Sequence, residues 1–547
     1  LYTIFKNNRP LERIYNSHLE TKVAVITHCS TILGVDALGV DVETQITGAL
    51  RRFTLVGLPD SALREAKERV RCAIESSGFQ FPQFELIVSL APAAVPKTGS
   101  GFDLAIAVGI LSASGQIDKP LSESYYFLGE LSLSGEVRAV AAAIATSQMI
   151  CSRGGGVLFV AKEIAAQASC IEGVRVVGVQ SLSELVAMLG GKREMDFEPL
   201  CAVPPQEPGD VLDFGDVIGQ ESAKRALEIS AAGGHNMLMI GPPGVGKSML
   251  ARRVMSILPP PSLTEMLETT KIHNAAQYCS FRKVENNLSL KATRPFRSPH
   301  HSSSTVSLIG GGARATPGEL SLAHRGVLFL DELPEMKRDA LESLREPLET
   351  REVNICRASY RISFPANFLL IAAMNPCPRG SCPRFETEKK ASNKTCRCTG
   401  SELARYRSRL SGPLMDRFDL QVWVPRVPID ALDRPLRENP TCIMRENVRR
   451  VREIQTKRFA KANSLNAQMT TSEIKQYCAA DSSASAFLRE ASSRYELSAR
   501  GYHRVLKLAR TIADLDSKGS DSPAELEEGH IAEAISYRMS LEQFASF

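Results

Sequence analysis

Residues Gly241-Pro242-Pro243-Gly244-Val245-Gly246-Lys247-Ser248 match G-x-x-x-x-G-K-[ST], with the apolar run Met237–Ile240 directly before them and a helix expected to begin near Met249 directly after. Few eight-residue strings restrict a fold so strongly. Glycines let such a loop turn successive backbone N–H groups inward, and the helix that follows adds the positive end of its dipole. The eight residues therefore read as a phosphate cradle at the end of a buried strand. Within the cradle Lys247 is expected to pair with the β- and γ-phosphates of ATP, and Ser248 to place its hydroxyl on magnesium. A plain glycine-rich turn would not come framed by a strand and a helix.

Two further strands end in groups suited to the same chemistry. Gly326–Glu332, GVLFLDE, reads as a buried strand closing on adjacent carboxylates, which are costly to hold together unless they serve a cation or a water molecule. Asp331 is expected to hold magnesium through its water shell, and Glu332 to polarise the water that attacks the γ-phosphate. Phe368–Met374 ends in Asn375-Pro376, so that the Asn375 amide can sense the γ-phosphate or the attacking water. An Asn before Pro is also a common turn former, and Asn375 gains weight only beside the loop and the carboxylates.

The rest of the 547 residues are organised around this core. Length alone suggests roughly three or four domains. Residues 1–22 are an N-terminal extension with no assigned function, and they lack the apolar segment of a secretory signal. Residues 23–190 alternate short strands and helices, including helices expected at 61–76, 103–114 and 182–189. Residues 191–212, with Pro199, Pro204, Pro205 and Pro208, read as a linker. Residues 213–433 carry the buried strands of a mostly parallel sheet with helices on both faces, and 434–547 turn almost wholly helical. The fold class is thus α/β. No apolar run reaches the roughly 18 residues of a membrane span, so a soluble, cytoplasmic protein without a membrane partner is expected. Sixty-six Lys+Arg against 61 Asp+Glu leave a formal charge of +5, too mild to imply nucleic acid by itself.

Thirteen cysteines form an odd, scattered set, which argues against a disulfide framework. Four of them cluster: Cys377, Cys382, Cys396 and Cys398, directly after Asn375. Four thiolates suit a tetrahedral structural zinc, although the C-x-C spacing is tighter than the usual C-x2-C and free loop thiols are the alternative. The other cysteines read as small core residues.

The strings Asp216–Glu228, Ala231–Asn236, Arg297–His301, Pro317–His324 and Leu410–Asp419 resemble the Mg-chelatase-like AAA+ ATPases of the YifB/ComM (competence protein) family, from about residue 23 to the end. The resemblance implies a P-loop AAA+ domain with a helical lid at 434–547, preceded by a Lon-protease-like (ribosomal S5 domain 2-like) domain. It implies a ring, a homo-hexamer, in which Arg417 is the arginine finger reaching a neighbour's γ-phosphate and Arg500 is the second sensor. It makes residues 294–324 a helix-2 insert and residues 351–365 a hairpin presenting Arg357 and Arg361 to DNA. His300 and His301 receive no role. In the N-terminal domain the matching strings put Gly101 where a Lon serine nucleophile belongs and Ile144 where its lysine belongs, so no peptidase is expected, Ser100 lacking a base. The implied activity is an ATP-driven DNA helicase or branch-migration motor acting on single-stranded or branched recombination intermediates during natural transformation, with recombination proteins as partners. The alternative is a chelatase-like ATPase that remodels a protein partner.

Overall fold

In the stretch Leu33-Gly34-Val35-Asp36, a two-residue loop led by Gly34, at φ 71°, reverses the chain between strands β1 (Val25–Leu33) and β2 (Asp36–Thr47). The glycine supplies the positive φ that tight hairpins require. The computed structural model describes residues 24–48, 52–58, 60–200, 212–279, 290–312, 315–357, 360–379, 398–427, 440–459, 464–517 and 525–545. The chain divides into two units, residues 1–204 with 270–290, and residues 205–269 with 291–547.

In the first unit β1 and β2 join β3 (Phe53–Val56), β4 (Glu85–Ala91), β5 (Tyr125–Leu128), β6 (Gly156–Ala161) and β7 (Val174–Val179). The sheet order is β3-β4-β2-β1-β5-β6-β7, with β1/β2 and β2/β4 antiparallel and the other pairs parallel. Among the described residues it is accompanied by helices α1 (Ser61–Ser76), α2 (Asp103–Ala113), α3 (Ala143–Ser152), α4 (Lys162–Ala168) and α5 (Leu182–Leu189). Asp60 caps α1 by accepting from the N–H of Leu63 at 2.8 Å, the Asx cap that sets its first turn. Helix α2, DLAIAVGILSA, is apolar all round and lies in the core, as such a helix must.

The stretch expected as a linker does not detach where the prolines begin. Phe197 bridges Val177, the N–H of Glu198 donates to Val176 O at 2.9 Å, and Ser169 Oγ donates to Pro199 O at 2.9 Å. Strand β7 is the sheet's edge, and its unpaired groups offer the passing chain hydrogen bonds that proline content alone does not reveal.

The second unit is built on β8 (Met237–Ile240), β9 (Phe296–Arg297), β10 (Val327–Leu330), β13 (Leu369–Met374) and β14 (Leu420–Trp423), with β11 (Glu352–Arg357) and β12 (Tyr360–Pro365) forming a separate antiparallel hairpin. The central order is β9-β10-β13-β8-β14, and all four pairings are parallel. Helices α6 (Glu221–Gly233), α7 (Lys247–Ile257) and α8 (Leu263–Cys279) flank the phosphate-loop region in sequence. After residue 440 come α9 (Pro440–Phe459), α10 (Ser482–Arg494), α11 (Ala499–Asp516) and α12 (Glu528–Ala545). Met237 and Met239, Val327 and Phe329, Ile371 and Ala373, and Leu420 and Val422 point to one face of the sheet. That face shares a core with Leu250 and Val254 of α7 and with Val505, Leu508 and Ile512 of α11. Strand period two and helix period three to four thus meet in one apolar layer.

Candidate active site

Five parallel strands give the central sheet two chemically distinct edges. Residues that follow strands collect at one, and residues that precede strands collect at the other. The loop follows β8, Asp331 and Glu332 follow β10, and Asn375 follows β13.

The loop's glycines act in two ways. Gly244 and Gly246 sit at φ 77° and 92°, the left-handed region where a side chain is strained. At Gly241 the limit is space, because a Cβ would lie 2.3 Å from the carbonyl oxygen of Val424. Helix α7 starts at Lys247, two residues before the start expected from sequence, since Gly246 completes the turn.

Lys247 Nζ donates to Gly241 O at 2.7 Å, Pro242 O at 2.9 Å and Asn375 Oδ1 at 3.1 Å. Burial lowers the Lys247 pKa, while the Asp331 and Glu332 carboxylates oppose that shift. Ser248 Oγ donates to Asp331 Oδ2 at 2.8 Å, which sets two hard oxygens side by side, the donor type that magnesium prefers. Asp331 Oδ1 in turn accepts the N–H of Glu332 at 2.9 Å. Glu332 is held at φ 49°, a conformation a non-glycine residue rarely adopts, and its half-exposed carboxylate lies 3.1 Å from His301 Nδ1. Tyr406 fixes the backbone of Asn375 by donating its hydroxyl to the Asn375 carbonyl at 3.2 Å. The structure therefore brings Lys247, Ser248, Asp331, Glu332 and Asn375 together.

Arg417 and Arg500 form a second group, joined by Glu349. Arg417 lies before β14, at the opposite edge, and four-residue strands separate the edges by roughly 13 Å. Its side chain is buried, donates from Nη1 to Pro413 O at 2.6 Å and bonds Glu349 through Nη2. Arg500 Nη1, on an exposed side chain, lies 3.5 Å from the same Glu349 oxygen. Asn236 anchors this group. Its Nδ2 donates to Arg417 O at 3.1 Å, and its Oδ1 accepts from Leu370 N at 3.1 Å.

Other expected residues fall as follows. Arg361 is exposed on the β11–β12 hairpin. Of the four clustered cysteines, Cys382 and Cys396 lie outside the described residues, while Cys377 and Cys398 pack with Leu403. Among the described residues no group of three or more His, Cys, Asp or Glu is positioned to hold a metal ion. In the first unit Ser100 Oγ bonds Glu130, and Ile144 is buried in the core. Among the described residues no helix is long and apolar enough to cross a membrane.

Sequence reasoning missed His301, Glu349 and Asn236. His301 lies within one of the quoted strings, but nothing in its spacing ties it to Glu332. Glu349 is one of many acidic residues on a helical stretch. Asn236 closes another of the quoted strings, but nothing in its position before a strand ties it to Arg417 or to Leu370.

Three family models match the chain: magnesium chelatase subunit ChlI over residues 213–432, subunit ChlI of Mg-chelatase over 42–163, and the ChlI C-terminal region over 438–538. Competence protein ComM of Haemophilus influenzae is 40% identical over 520 residues, covering 94% of this chain and 97% of ComM. YifB of Salmonella typhimurium is 40% identical over 513 residues, covering 94% of this chain and 96% of its own, and YifB of Escherichia coli is 40% identical over 520 residues, covering 94% and 96%. The chain belongs to the YifB/ComM family of Mg-chelatase-like AAA+ proteins. In this YifB/ComM chain the first matched segment contains the whole phosphate loop, Asp331, Glu332, Asn375 and Arg417, and the third contains Arg500. The second contains Gly101 and Ile144.

Proposed function

We propose that the chain is a magnesium-dependent ATPase whose copies assemble into a ring, a hexamer, that moves on DNA. The observation that carries the ATPase reading is the edge where Lys247, Ser248, Asp331, Glu332 and Asn375 meet. The loop N–H groups and Lys247 hold the phosphates, Ser248 and Asp331 hold magnesium, and Asn375 registers the γ-phosphate through its contact with Lys247. Magnesium supplies charge neutralisation on the phosphate oxygens when bound with ATP. Glu332 accepts the proton of the attacking water, with His301 fixing where its carboxylate points. Arg417 sits at the far edge from its own loop, which supports its acting on the nucleotide of a neighbouring copy, with Arg500 beside it. A permanently charged guanidinium suits that role.

The DNA reading rests on the ComM relative, named a competence protein, and on the exposed Arg361 of the β11–β12 hairpin. On this reading the ring unwinds or branch-migrates recombination intermediates during natural transformation, with recombination proteins as partners. Residues 23–190 act as a Lon-type binding or assembly domain without peptidase chemistry, and 434–547 as the lid. Zinc at Cys377, Cys382, Cys396 and Cys398 is a separate proposal, which metal analysis of the reduced protein tests. The chelatase descriptions of the family models favour one second reading, an ATPase that remodels a protein partner.

The deciding experiment follows ATP-driven resolution of a labelled three- or four-strand DNA junction by the wild type, with Glu332→Gln as control. Movement requiring both ATP and an intact Glu332 supports the DNA motor. ATP hydrolysis without junction movement or DNA stimulation at any salt concentration refutes it in favour of the remodeller.

A further inference from the structure

Strand β8 lies between β13 and β14, and Asn236 stands directly before it, at the edge away from the phosphate loop. Its side chain reaches toward both neighbours. Oδ1 accepts the N–H of Leu370 in β13 at 3.1 Å, while Nδ2 donates to the carbonyl of Arg417, ahead of β14, at 3.1 Å. One amide carries both a donor and an acceptor on a planar group, which is what such a bridge requires. Arg417 itself closes a short turn, where its N–H donates to Leu414 O at 2.9 Å and its Nη1 donates to Pro413 O at 2.6 Å. Those bonds stay within the turn. The bond from Asn236 ties the Arg417 peptide to the sheet.

We propose that Asn236 is a positioning residue for Arg417, setting where its guanidinium leaves the edge and so whether it meets the γ-phosphate of a neighbouring copy. The proposal rests on the reading of Arg417 as a finger shared between copies. The main chain at this position is held without the Asn236 side chain. Asn236 O accepts the N–H groups of Asp419 at 2.9 Å and Leu420 at 3.1 Å, and His235, 1% exposed, bonds Asp419 and Thr511. Strands β8 and β14 therefore keep their register, Met237 against Leu420, when the amide is replaced. The amide also lies a strand of four residues, roughly 13 Å, from the loop of its own copy, so its loss leaves ATP binding there undisturbed. What it changes is the placement of Arg417, and a shift of about 1 Å in a reacting group costs up to about 10²-fold in rate.

The test compares Asn236→Ala, which removes both side-chain bonds, with Asn236→Asp, which keeps the acceptor for Leu370 and loses the donor to Arg417. In the full chain both are expected to lower kcat roughly 10- to 100-fold with KM for ATP unchanged. An Asp variant as active as wild type overturns the proposal, because the bond to β13 is then the one that matters. In an Arg417→Ala background either substitution is expected to add nothing, and a further loss of the same size overturns the proposal as well. Mixing locates the defect. With Lys247→Ala protein, whose arginine edge is intact, the Asn236 variants should regain activity, and with Arg417→Ala protein they should not. Recovery with both partners, or with neither, overturns the proposal. If Asn236→Ala fails to fold by circular dichroism, Asn236→Asp decides on the same criteria. The mixture of Lys247→Ala with Arg417→Ala protein carries no change at Asn236 and reports on shared sites by itself. If it stays inactive, the shared-site reading falls and the proposal with it; if it recovers while the Asn236 variants miss these criteria, the proposal alone falls.

Discussion

Replacing Glu332 by Gln separates ground-state binding from chemistry, because the structure sets the two effects on different scales. The Glu332 side chain is 50% exposed, and its ion-pair contact is His301 Nδ1 at 3.1 Å. An isosteric amide there turns a charge-assisted hydrogen bond into a neutral one, a change of about 1 kcal/mol, which limits any effect on ATP affinity to roughly fivefold. Loss of a general base costs about 10²- to 10⁴-fold in rate. Fluorescent-nucleotide titration is therefore expected to show near-normal ATP binding, while single-turnover phosphate release falls by at least two orders of magnitude. His301→Ala refines the argument. It leaves the carboxylate chemically intact but unheld, and one hydrogen bond is worth about 0.5–1.5 kcal/mol, so the rate should fall roughly 2- to 10-fold with KM unchanged. If His301 acts through Glu332, the same substitution has no further effect in the Glu332→Gln background. Hydrolysis by Glu332→Gln within tenfold of wild type would refute Glu332 as the base. Equal losses from His301→Ala in both backgrounds would refute the coupling.

Three further outcomes are expected. Arg417→Ala should retain ATP binding and lose hydrolysis, on the order of 10³-fold or more for an arginine finger; mixing it with Lys247→Ala protein should restore part of the rate, and a mixture as inactive as its components would count against sites shared between copies. Asp514 is fully buried, takes both Nη atoms of Arg458 at 2.7 Å and Arg510 Nε at 3.0 Å, so Asp514→Asn strands two buried guanidinium groups. Denaturant unfolding should register a loss of about 3–5 kcal/mol, and a loss below about 1 kcal/mol would contradict this account. Hydrogen bonding from His324, with Arg325 adding to it, outweighs burial and holds Glu268 down to about 2, below its ordinary 4.5. A depressed carboxylate stabilises the fold above the unfolded pKa, and that contribution fades as pH falls from about 4.5 to about 2. The stability difference between wild type and Glu268→Gln should therefore shrink across that window, and a difference independent of pH would refute the assignment.

What could be read from sequence was contiguous chemistry. The loop, the Asp331-Glu332 pair and Asn375 each sit at the end of an apolar strand, so strand and functional group are written side by side. Helices 61–76 and 182–189 were legible for the same local reason, since Asp60 and Ser181 stand at their starts as caps. Strand β2 has no such local mark, because DALGVDVETQIT buries one face only and interleaves its apolar residues with acids and amides. The attachment of residues 197–199 to β7 depends on a sheet edge that no local pattern announces.

Partnerships made across the fold were beyond reach for a different reason. His301 meets Glu332, Glu349 meets Arg417, and Asn236 ties Arg417 to β13 only because parallel register aligns the strands. Met237 faces both Ile371 and Leu420, and Val327 faces Leu369. That register gathers everything after a strand at one edge and everything before a strand at the other. Lys247 and Arg417 are thereby assigned to opposite edges, a fact that their order in the chain does not contain. A short parallel sheet cannot turn one of its edges toward the other, so a phosphate held at the loop lies out of reach of its own Arg417. On the proposed ring, joining the two halves of the chemistry would take the loop edge of one copy and the arginine edge of the next, which the mixing of Arg417→Ala with Lys247→Ala protein tests.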